Sequence, residues 1–324
     1  MLRGPRRNTA ALVAAVALLA VIPAANTAGR HAERAAARGT AAPPASTVPM
    51  TRPLRPAQRP ERRPEPAGDP CAAARPRLTA HLDAALHGAH VSVAVRERTT
   101  GEDYDYRGGE TFETASIAKV SILVTLLARA QRTGRPLTSG ERAQARRAIE
   151  YSDNDAADAL WADVGGAVPV GRTLRRLHLR HTRVLDALGW GLTRTTARDQ
   201  VRLLTALTGD AGGLSAGRRA YALRLMSHVA PEQAWGVSAA AGDDDAYVAL
   251  KNGWLARSTD GERWIINSIG RVRTGGRDLL IAVLSDHHAT SAAGIDVVRR
   301  AARITARALD ACLPLPVPPR KPAR

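Results

Sequence analysis

The chain has 324 residues, of which 44% are hydrophobic and 24% charged, a composition typical of folded rather than disordered proteins. Aromatic residues make up only 3%, too few for a surface that stacks single-stranded nucleic acid, and the two cysteines are too few for a zinc cluster or a disulfide-rich scaffold. The sequence has no continuous run of about 18 to 20 apolar residues, which excludes an integral transporter.

Residues 1–28 are typical of an export signal. Arg3, Arg6 and Arg7 precede a short apolar run at residues 10–22, and a proline and several small residues follow that run. A clear small-residue cleavage site is missing, so a cleaved signal peptide and a retained signal anchor both stay open. We therefore expect a protein that is secreted or lies on the outside of the cell envelope.

Residues 29–70 are predicted to form a disordered linker, because they hold nine of the 20 prolines and eight arginines but few large apolar residues. Residues 315–324 are predicted to be a disordered basic tail. The segments outside residues 71–314 hold 14 basic and four acidic residues, or +10 of the net charge of +17. The folded body carries the remaining +7, a modest surplus for its size, so nucleic-acid binding is not expected. The linker could contact anionic wall polymers or lipid head groups weakly, although solvation explains its charge as well.

Blocks of strand and helix periodicity alternate within residues 71–314. The predicted elements are a helix at 72–86, strands at 90–98 and around 104–106, a helical tract at 116–228 broken by glycine and proline, strands at 247–256, 263–272 and 278–285, and a helix at 292–309. This order predicts an α+β fold in which a five-stranded antiparallel sheet carries flanking helices and an all-helical lobe.

A serine and a lysine three residues apart, Ser116 and Lys119, open the apolar helix that follows the second strand. Residues at this spacing share one face of a helix, so the lysine amine could take the proton that a serine hydroxyl must lose to act as a nucleophile. The alternative is an ordinary first-turn serine beside a surface lysine. Composition weakens that alternative, because only three of the 47 basic residues are lysines.

Two further polar motifs follow along the chain. Ser152, Asp153 and Asn154 come after a helical stretch, where a hydroxyl could relay a proton and an amide could hold a carbonyl, but such residues also cluster at ordinary turns and helix caps. Lys251 and Gly253 lie in a predicted strand, where a buried lysine needs a partner and a glycine allows a substrate backbone to come close. Each motif alone is better explained by a structural role.

Together these motifs stand in the order Ser-x-x-Lys, Ser-Asp-Asn and Lys-x-Gly. In that order the chain resembles the penicillin-recognising serine hydrolases, and class A β-lactamases most. The resemblance covers residues 72–313, including the strand order and the closing helix. It implies the fold of β-lactamases and D,D-peptidases, a site between the helical lobe and the sheet, and chemistry that needs neither a metal nor an organic cofactor.

The resemblance also implies a role for each motif residue. Ser116 would be the acylated nucleophile and Lys119 its base. Ser152 would pass a proton to the leaving nitrogen, and Lys251 would anchor a substrate carboxylate. The backbone N–H groups of Ser116 and Trp254 would form the oxyanion hole. The implied substrate-binding residues are Asn154, Asn252, Gly253 and Trp254.

Two features depart from class A enzymes. Asn252 stands where the third motif usually has threonine or serine. The loop at residues 185–194 lacks the glutamate that activates the deacylating water in those enzymes; it offers only Asp186, with Asp199 and Glu150 as further candidates. We therefore expect a β-lactam acyl-enzyme to deacylate slowly.

The resemblance further implies a disulfide between Cys71 and Cys312, because the resembled fold packs its first and last helices side by side with those ends close, and export makes oxidation plausible.

The acidic run at residues 243–245 could hold Ca²⁺, but a solvated loop explains it better. His287 and His288 have no further ligand at a suitable spacing, so no metal site is expected. We expect a monomer.

The sequence therefore predicts an exported serine hydrolase that forms an acyl-enzyme with β-lactams. The closest alternative is a D,D-peptidase or esterase that acts on wall-derived peptides of the D-Ala type. A third possibility is a non-hydrolytic wall-binding protein that keeps the fold. Covalent labelling by a fluorescent penicillin distinguishes both enzymes from the binding protein.

Overall fold

An antiparallel sheet organises the folded body. The computed structural model describes residues 71–185, 189–209, 212–242 and 246–312. The strands in these residues are β1 (Val91–Glu97), β2 (Asp103–Tyr106), β3 (Thr111–Glu113), β4 (Arg194–Thr196), β5 (Tyr247–Arg257), β6 (Arg263–Thr274) and β7 (Arg277–His288). Five of them form one sheet in the order β2-β1-β7-β6-β5, and all neighbours in it are antiparallel. The short strands β3 and β4 pair with each other.

Helices cover both faces of the five-stranded sheet. The helices in the described residues are α1 (Ala74–Leu86), α2 (Ala118–Arg132), α3 (Ser139–Glu150), α4 (Asn154–Val164), α5 (Ala167–Arg176), α6 (Ala197–Thr208), α7 (Ala216–Ser227) and α8 (Ser291–Cys312). Helices α1 and α8 share one apolar core with one face of the sheet. Helices α2 to α7 form the helical lobe, whose core includes side chains from the other face.

Side chains on β7 show why the middle of this strand is apolar at every position. Leu280 and Leu284 join the core of the helical lobe, whereas Ile281 and Val283 join the core with α1 and α8. Successive side chains of a strand point to opposite faces, so a strand buried on both faces needs apolar residues at every position. The continuous apolar run in the sequence is therefore a consequence of the two cores.

Apolar runs and capping residues in the sequence account for the helices of the lobe. Helix α2 is buried on nearly all sides, in keeping with its long apolar run. Helix α3 begins with a capping box in which Thr138 and Glu141 satisfy each other's backbone N–H groups. The Asp153 side chain accepts a hydrogen bond from the Ala156 N–H and caps α4, so this residue has a structural role in its motif.

The predicted α+β fold and five-stranded antiparallel sheet are confirmed. The β3–β4 pair was not predicted, because three-residue strands are too short to show alternation. Strand β7 also runs three residues further than expected, to His288. The predicted signal, linker, basic tail and acidic run lie outside the described residues. None of the helices in the described part of the chain combines the length and hydropathy needed to cross a membrane.

The predicted disulfide is present. Cys71, three residues before α1, is bonded to Cys312, the last residue of α8, and their Cα atoms lie 5.1 Å apart. The bond joins residues 241 positions apart and so holds the first and last described helices together.

Candidate active site

The candidate nucleophile lies in a tight turn that leads into α2. Ser116 is the middle residue of a 3₁₀ turn, Ala115–Ile117, and Lys119 is the second residue of α2. The Lys119 Nζ lies 3.0 Å from the Ser116 Oγ, within hydrogen-bond reach, as their three-residue spacing predicts. Ala115 has a φ of 46°, in the left-handed region that non-glycine residues rarely adopt. Contacts around the turn must therefore stabilise the conformation of Ala115, the residue directly before Ser116.

Ser152 lies in contact with the same lysine. It is the second residue after α3 and has a φ of 57°. Lys119 Nζ donates to the Ser152 carbonyl at 2.5 Å and lies 3.2 Å from its Oγ. Asn154, the first residue of α4, accepts from Lys119 through its Oδ1 at 2.8 Å. The Ser-x-x-Lys and Ser-Asp-Asn motifs thus meet at one amine.

The third motif lies on β5, an edge strand of the sheet, and contacts Ser152 as well. Lys251 on β5 is fully buried and donates to the Ser152 Oγ at 2.9 Å. Gly253 lies against the turn that holds Ser116: a Cβ there would come within 2.8 Å of the Ser116 backbone nitrogen and 2.7 Å of the Thr114 carbonyl oxygen. These separations are shorter than van der Waals contact, so only glycine allows this approach.

Burial changes the protonation of both lysines. The Lys119 side chain is 1% exposed, and burial lowers its pKa to about 8, although the Asp153 and Asp158 carboxylates act in the opposite direction. The pKa of Lys251 is held well below its ordinary value by complete burial and by the nearby positive charge of Lys119. A lysine with a pKa of about 8 is partly neutral near neutral pH and can act as a base.

The oxygen atoms around Lys119 fit a neutral amine as well as a charged one. Four oxygens lie within 3.2 Å of its Nζ, from Ser116, Ser152 (two atoms) and Asn154. An ammonium has three protons to donate, whereas a neutral amine has two protons and one lone pair. In the neutral form that lone pair can receive the Ser116 hydroxyl proton while the remaining protons satisfy other oxygens.

A tryptophan and an aspartate complete the surroundings of Lys119. The Trp190 ring centre lies 4.9 Å from the Lys119 Nζ, and its Nε1 donates to the Asp158 Oδ1 at 2.6 Å. Neither role was predicted from the sequence. Asp158 was detectable, since it lies four residues after Asn154 and so on the same face of α4. Trp190 reaches the site through a loop fold that no local pattern indicates.

The sequence profile described as the beta-lactamase enzyme family matches residues 74–140 and 141–309. The chain belongs to the beta-lactamase enzyme family. It is 30% identical over 204 residues to LppW of Mycobacterium tuberculosis, whose name describes a candidate lipoprotein; the match covers 61% of this chain and 64% of that protein, slightly less than two thirds of its length.

Solved class A β-lactamases have the same fold. The enzyme from Mycobacterium abscessus is 22% identical to this chain, with a TM-score of 0.61 over 73% of this chain and 99% of that one. A representative from Bacteroides cellulosilyticus is 18% identical, with a TM-score of 0.63 over 74% of this chain and 99% of that one. The fold is therefore that of class A β-lactamases.

One residue of the predicted substrate-binding set, Asn252, has a buried side chain. The Asn252 side chain is fully buried, and its Nδ2 donates to the carbonyls of Gln233 and Trp235 at 2.6 and 3.1 Å. The amide nitrogen of Asn252 is thus already paired with main-chain carbonyls, and substrate binding by this side chain stays a prediction. Because side chains alternate along β5, Asn252 points to the opposite face from Lys251 and Gly253. The ring of Trp254 is 36% exposed and lies 6.0 Å from that of Trp235.

The carboxylates considered as deacylating bases in this family member already have partners. Asp199 is fully buried and accepts hydrogen bonds from the His181 N–H, the Thr182 hydroxyl and Arg202. Glu150 accepts from Arg146 at 2.8 Å. These contacts give both acids structural roles. Asp186 lies outside the described residues.

Proposed function

We propose that the chain is an exported serine hydrolase of the class A β-lactamase type that opens β-lactams by acylation of Ser116. The observation that carries the proposal is the 3.0 Å contact between the Ser116 hydroxyl and the buried Lys119 amine, whose pKa is about 8. A neutral amine in this position can accept the hydroxyl proton while the oxygen attacks the lactam carbonyl. Similarity to LppW, a candidate lipoprotein, supports an exported or envelope-attached location.

Acylation requires one proton to travel from the nucleophile to the leaving nitrogen. The Ser116 Oγ forms a bond to the carbonyl carbon and the lactam C–N bond breaks, while Lys119 takes the Ser116 proton and Ser152 gives one to the nitrogen. The 3.2 Å contact between Lys119 and the Ser152 Oγ provides the return path, because Lys119 can then restore the Ser152 proton. Lys119 ends the step neutral, as it began.

The remaining motif residues would bind and polarise the substrate. A substrate carboxylate beside Lys251 would raise the low pKa of that lysine, because a neighbouring negative charge favours the ammonium form. The Asn154 amide would hold a substrate side-chain amide. The backbone N–H groups of Ser116 and Trp254 would stabilise the negative oxygen that develops on the carbonyl.

Deacylation is proposed to be slow. It needs a base that holds a water about 2.6–3.2 Å away, and losing such a base costs about 10²- to 10⁴-fold in rate. Asp158 lies near Lys119 but already accepts the Trp190 hydrogen bond, and Asp199 and Glu150 accept from other groups. The engagement of these carboxylates favours, as the second candidate, a D,D-peptidase or esterase on D-Ala-type wall peptides. A non-hydrolytic wall-binding protein is the third.

Intact-protein mass spectrometry with benzylpenicillin, followed over time, tests the proposal. We expect the chain to gain the mass of one penicillin and to lose it slowly. Ser116→Ala should show no gain, and Lys119→Arg should acylate about 10²- to 10⁴-fold more slowly, because a guanidinium stays protonated. Ser121→Ala, on the same helix, is the matched control.

Two outcomes contradict the proposal. Labelling that survives in Ser116→Ala would remove this residue as the nucleophile, and the absence of any adduct on the unmodified chain would favour the binding protein. Release of D-alanine from a D-Ala-D-Ala peptide, measured in parallel with nitrocefin hydrolysis, separates the peptidase from the β-lactamase.

A further inference from the structure

Two histidines from distant parts of the chain converge on one carboxylate oxygen, outside the candidate active site. His90 lies one residue before β1, and Asp286 and His287 lie near the end of β7. The Nδ1 atoms of His90 and His287 each lie 2.5 Å from the Asp286 Oδ1. One ligand-type atom from each of the three residues lies within 4.8 Å of the others. No metal site was predicted from the sequence, because the adjacent histidines there have no further ligand at a suitable spacing.

A β-bulge brings the two neighbouring residues of β7 together. In the β6–β7 ladder, Ile266 pairs with Ser285 and Trp264 with His288, so Asp286 and His287 together oppose a single residue of β6. His287 has a φ of 61°, in the left-handed region that non-glycine residues rarely adopt. Regular alternation would point adjacent side chains to opposite faces, whereas a bulge can aim both at one point.

A second carboxylate lies at the far nitrogen of each histidine. The His90 Nε2 is 3.2 Å from the Glu110 Oε2, and the His287 Nε2 is 3.4 Å from the Asp260 Oδ2. Metal-binding histidines are usually oriented in this way, with one ring nitrogen on the metal and the other on a carboxylate or carbonyl. The His90 ring also stacks on Phe112, with ring centres 4.7 Å apart, which further limits its rotation.

We propose that His90, Asp286 and His287 bind a Zn²⁺ ion, with Glu110 and Asp260 as the carboxylates that orient the two imidazoles. Two imidazole nitrogens, one carboxylate oxygen and a water form a tetrahedral set that Zn²⁺ accepts. Zinc–ligand bonds of about 2.0–2.1 Å place tetrahedral donors about 3.3 Å apart, so binding widens the two nitrogen–oxygen separations by somewhat less than 1 Å. All three side chains are partly exposed, which leaves the ion a path to enter.

One of the two orienting carboxylates, Glu110, lies close in sequence to the turn that holds Ser116. Glu110 and Phe112 flank the first residue of β3, and β3 ends one residue before Thr114. A bound ion would therefore link the beginning of β1, the end of β7 and the segment that leads to Ser116. This role is structural and does not depend on the proposed acyl-enzyme chemistry.

Calorimetric titration of the untagged, chelator-treated full chain with ZnCl₂ tests the site. We expect one Zn²⁺ per chain with a Kd in the micromolar range or below. His90→Ala and Asp286→Asn should each weaken binding at least tenfold, and Asp260→Asn, which removes only an orienting charge, should weaken it about 10- to 100-fold. Replacement of Zn²⁺ by Co²⁺ should give the visible absorption of a four-coordinate ion, and this absorption should disappear in His90→Ala.

His81→Ala, which removes an exposed histidine on α1, is the matched control and should bind as the unmodified chain does. Circular dichroism of each variant checks that the fold is kept. Binding weaker than about 100 µM, or an equal loss in His81→Ala, would show that the cluster is only an ion-pair network between imidazoles and carboxylates.

Discussion

Lys119 and Lys251 share one hydrogen-bond acceptor, the Ser152 Oγ, which lies 3.2 Å from the first amine and 2.9 Å from the second. Two buried ammonium groups at one oxygen repel each other, and the charge of Lys119 contributes to the low pKa of Lys251. The shared oxygen therefore favours states in which at least one amine is neutral. Lys251 is the amine whose pKa is held well below its ordinary value, whereas burial lowers the pKa of Lys119, the amine beside Ser116, to about 8.

The rate of acylation should rise with pH through the pKa of Lys119, about 8. The active form is the neutral amine, so the rate should increase about tenfold per pH unit below pH 8 and become constant above it. Pseudo-first-order labelling by a fluorescent penicillin between pH 6 and 10 measures this profile. A rate that is flat or falls between pH 6 and 8 would contradict Lys119 as the base.

Removing the charge of Asp158 should speed acylation at pH 7. This carboxylate raises the pKa of Lys119, so Asp158→Asn should lower that pKa and increase the neutral fraction of the amine. We expect a few-fold faster labelling at pH 7 and little change at pH 9, where the amine is already mostly neutral. Slower labelling at both pH values would instead indicate that Asp158 acts by holding Trp190 in place.

The substitution Gly253→Ala should slow penicillin labelling more than it lowers Tm. In Gly253→Ala the new Cβ would meet the backbone of Thr114, Ser116 and Ile117 at 2.7–2.9 Å, so the turn that carries the nucleophile must move. A displacement of this kind can cost about 10²-fold in rate. In the control Gly242→Ala, the nearest atom to the new Cβ is 3.7 Å away, and neither labelling nor Tm should change.

The disulfide should make a large contribution to stability. In the chain-entropy model, a bond between residues 241 positions apart stabilises the fold by about 5 kcal/mol, and measured values are often lower. Urea unfolding of the oxidised chain and of the Cys71→Ser, Cys312→Ser double variant compares the two free energies of unfolding. A difference below about 1 kcal/mol would mean that the reduced chain already keeps these ends together.

The sequence predicted best those contacts that join residues only a few positions apart in the chain. Ser116 and Lys119 are three residues apart on one helix, so their contact follows from helix geometry alone. The orientation of Asn252 was not predictable in this way, because it depends on which face of β5 meets Ser116 and on the carbonyls of Gln233 and Trp235. The approach of His90 to Asp286 depends on a bulge and on the packing of β1 against β7, which only the tertiary fold reveals.

The disulfide also determines how a pulling force passes through the molecule. Cys71 and Cys312 are the first and last of the described residues, so a load between the segments that precede and follow them is carried by the covalent S–S bond. The sheet, both cores and the candidate active site lie within the closed loop and bear none of that tension. A pull between the predicted linker and the residues that follow Cys312 would therefore leave the geometry around Ser116 unchanged.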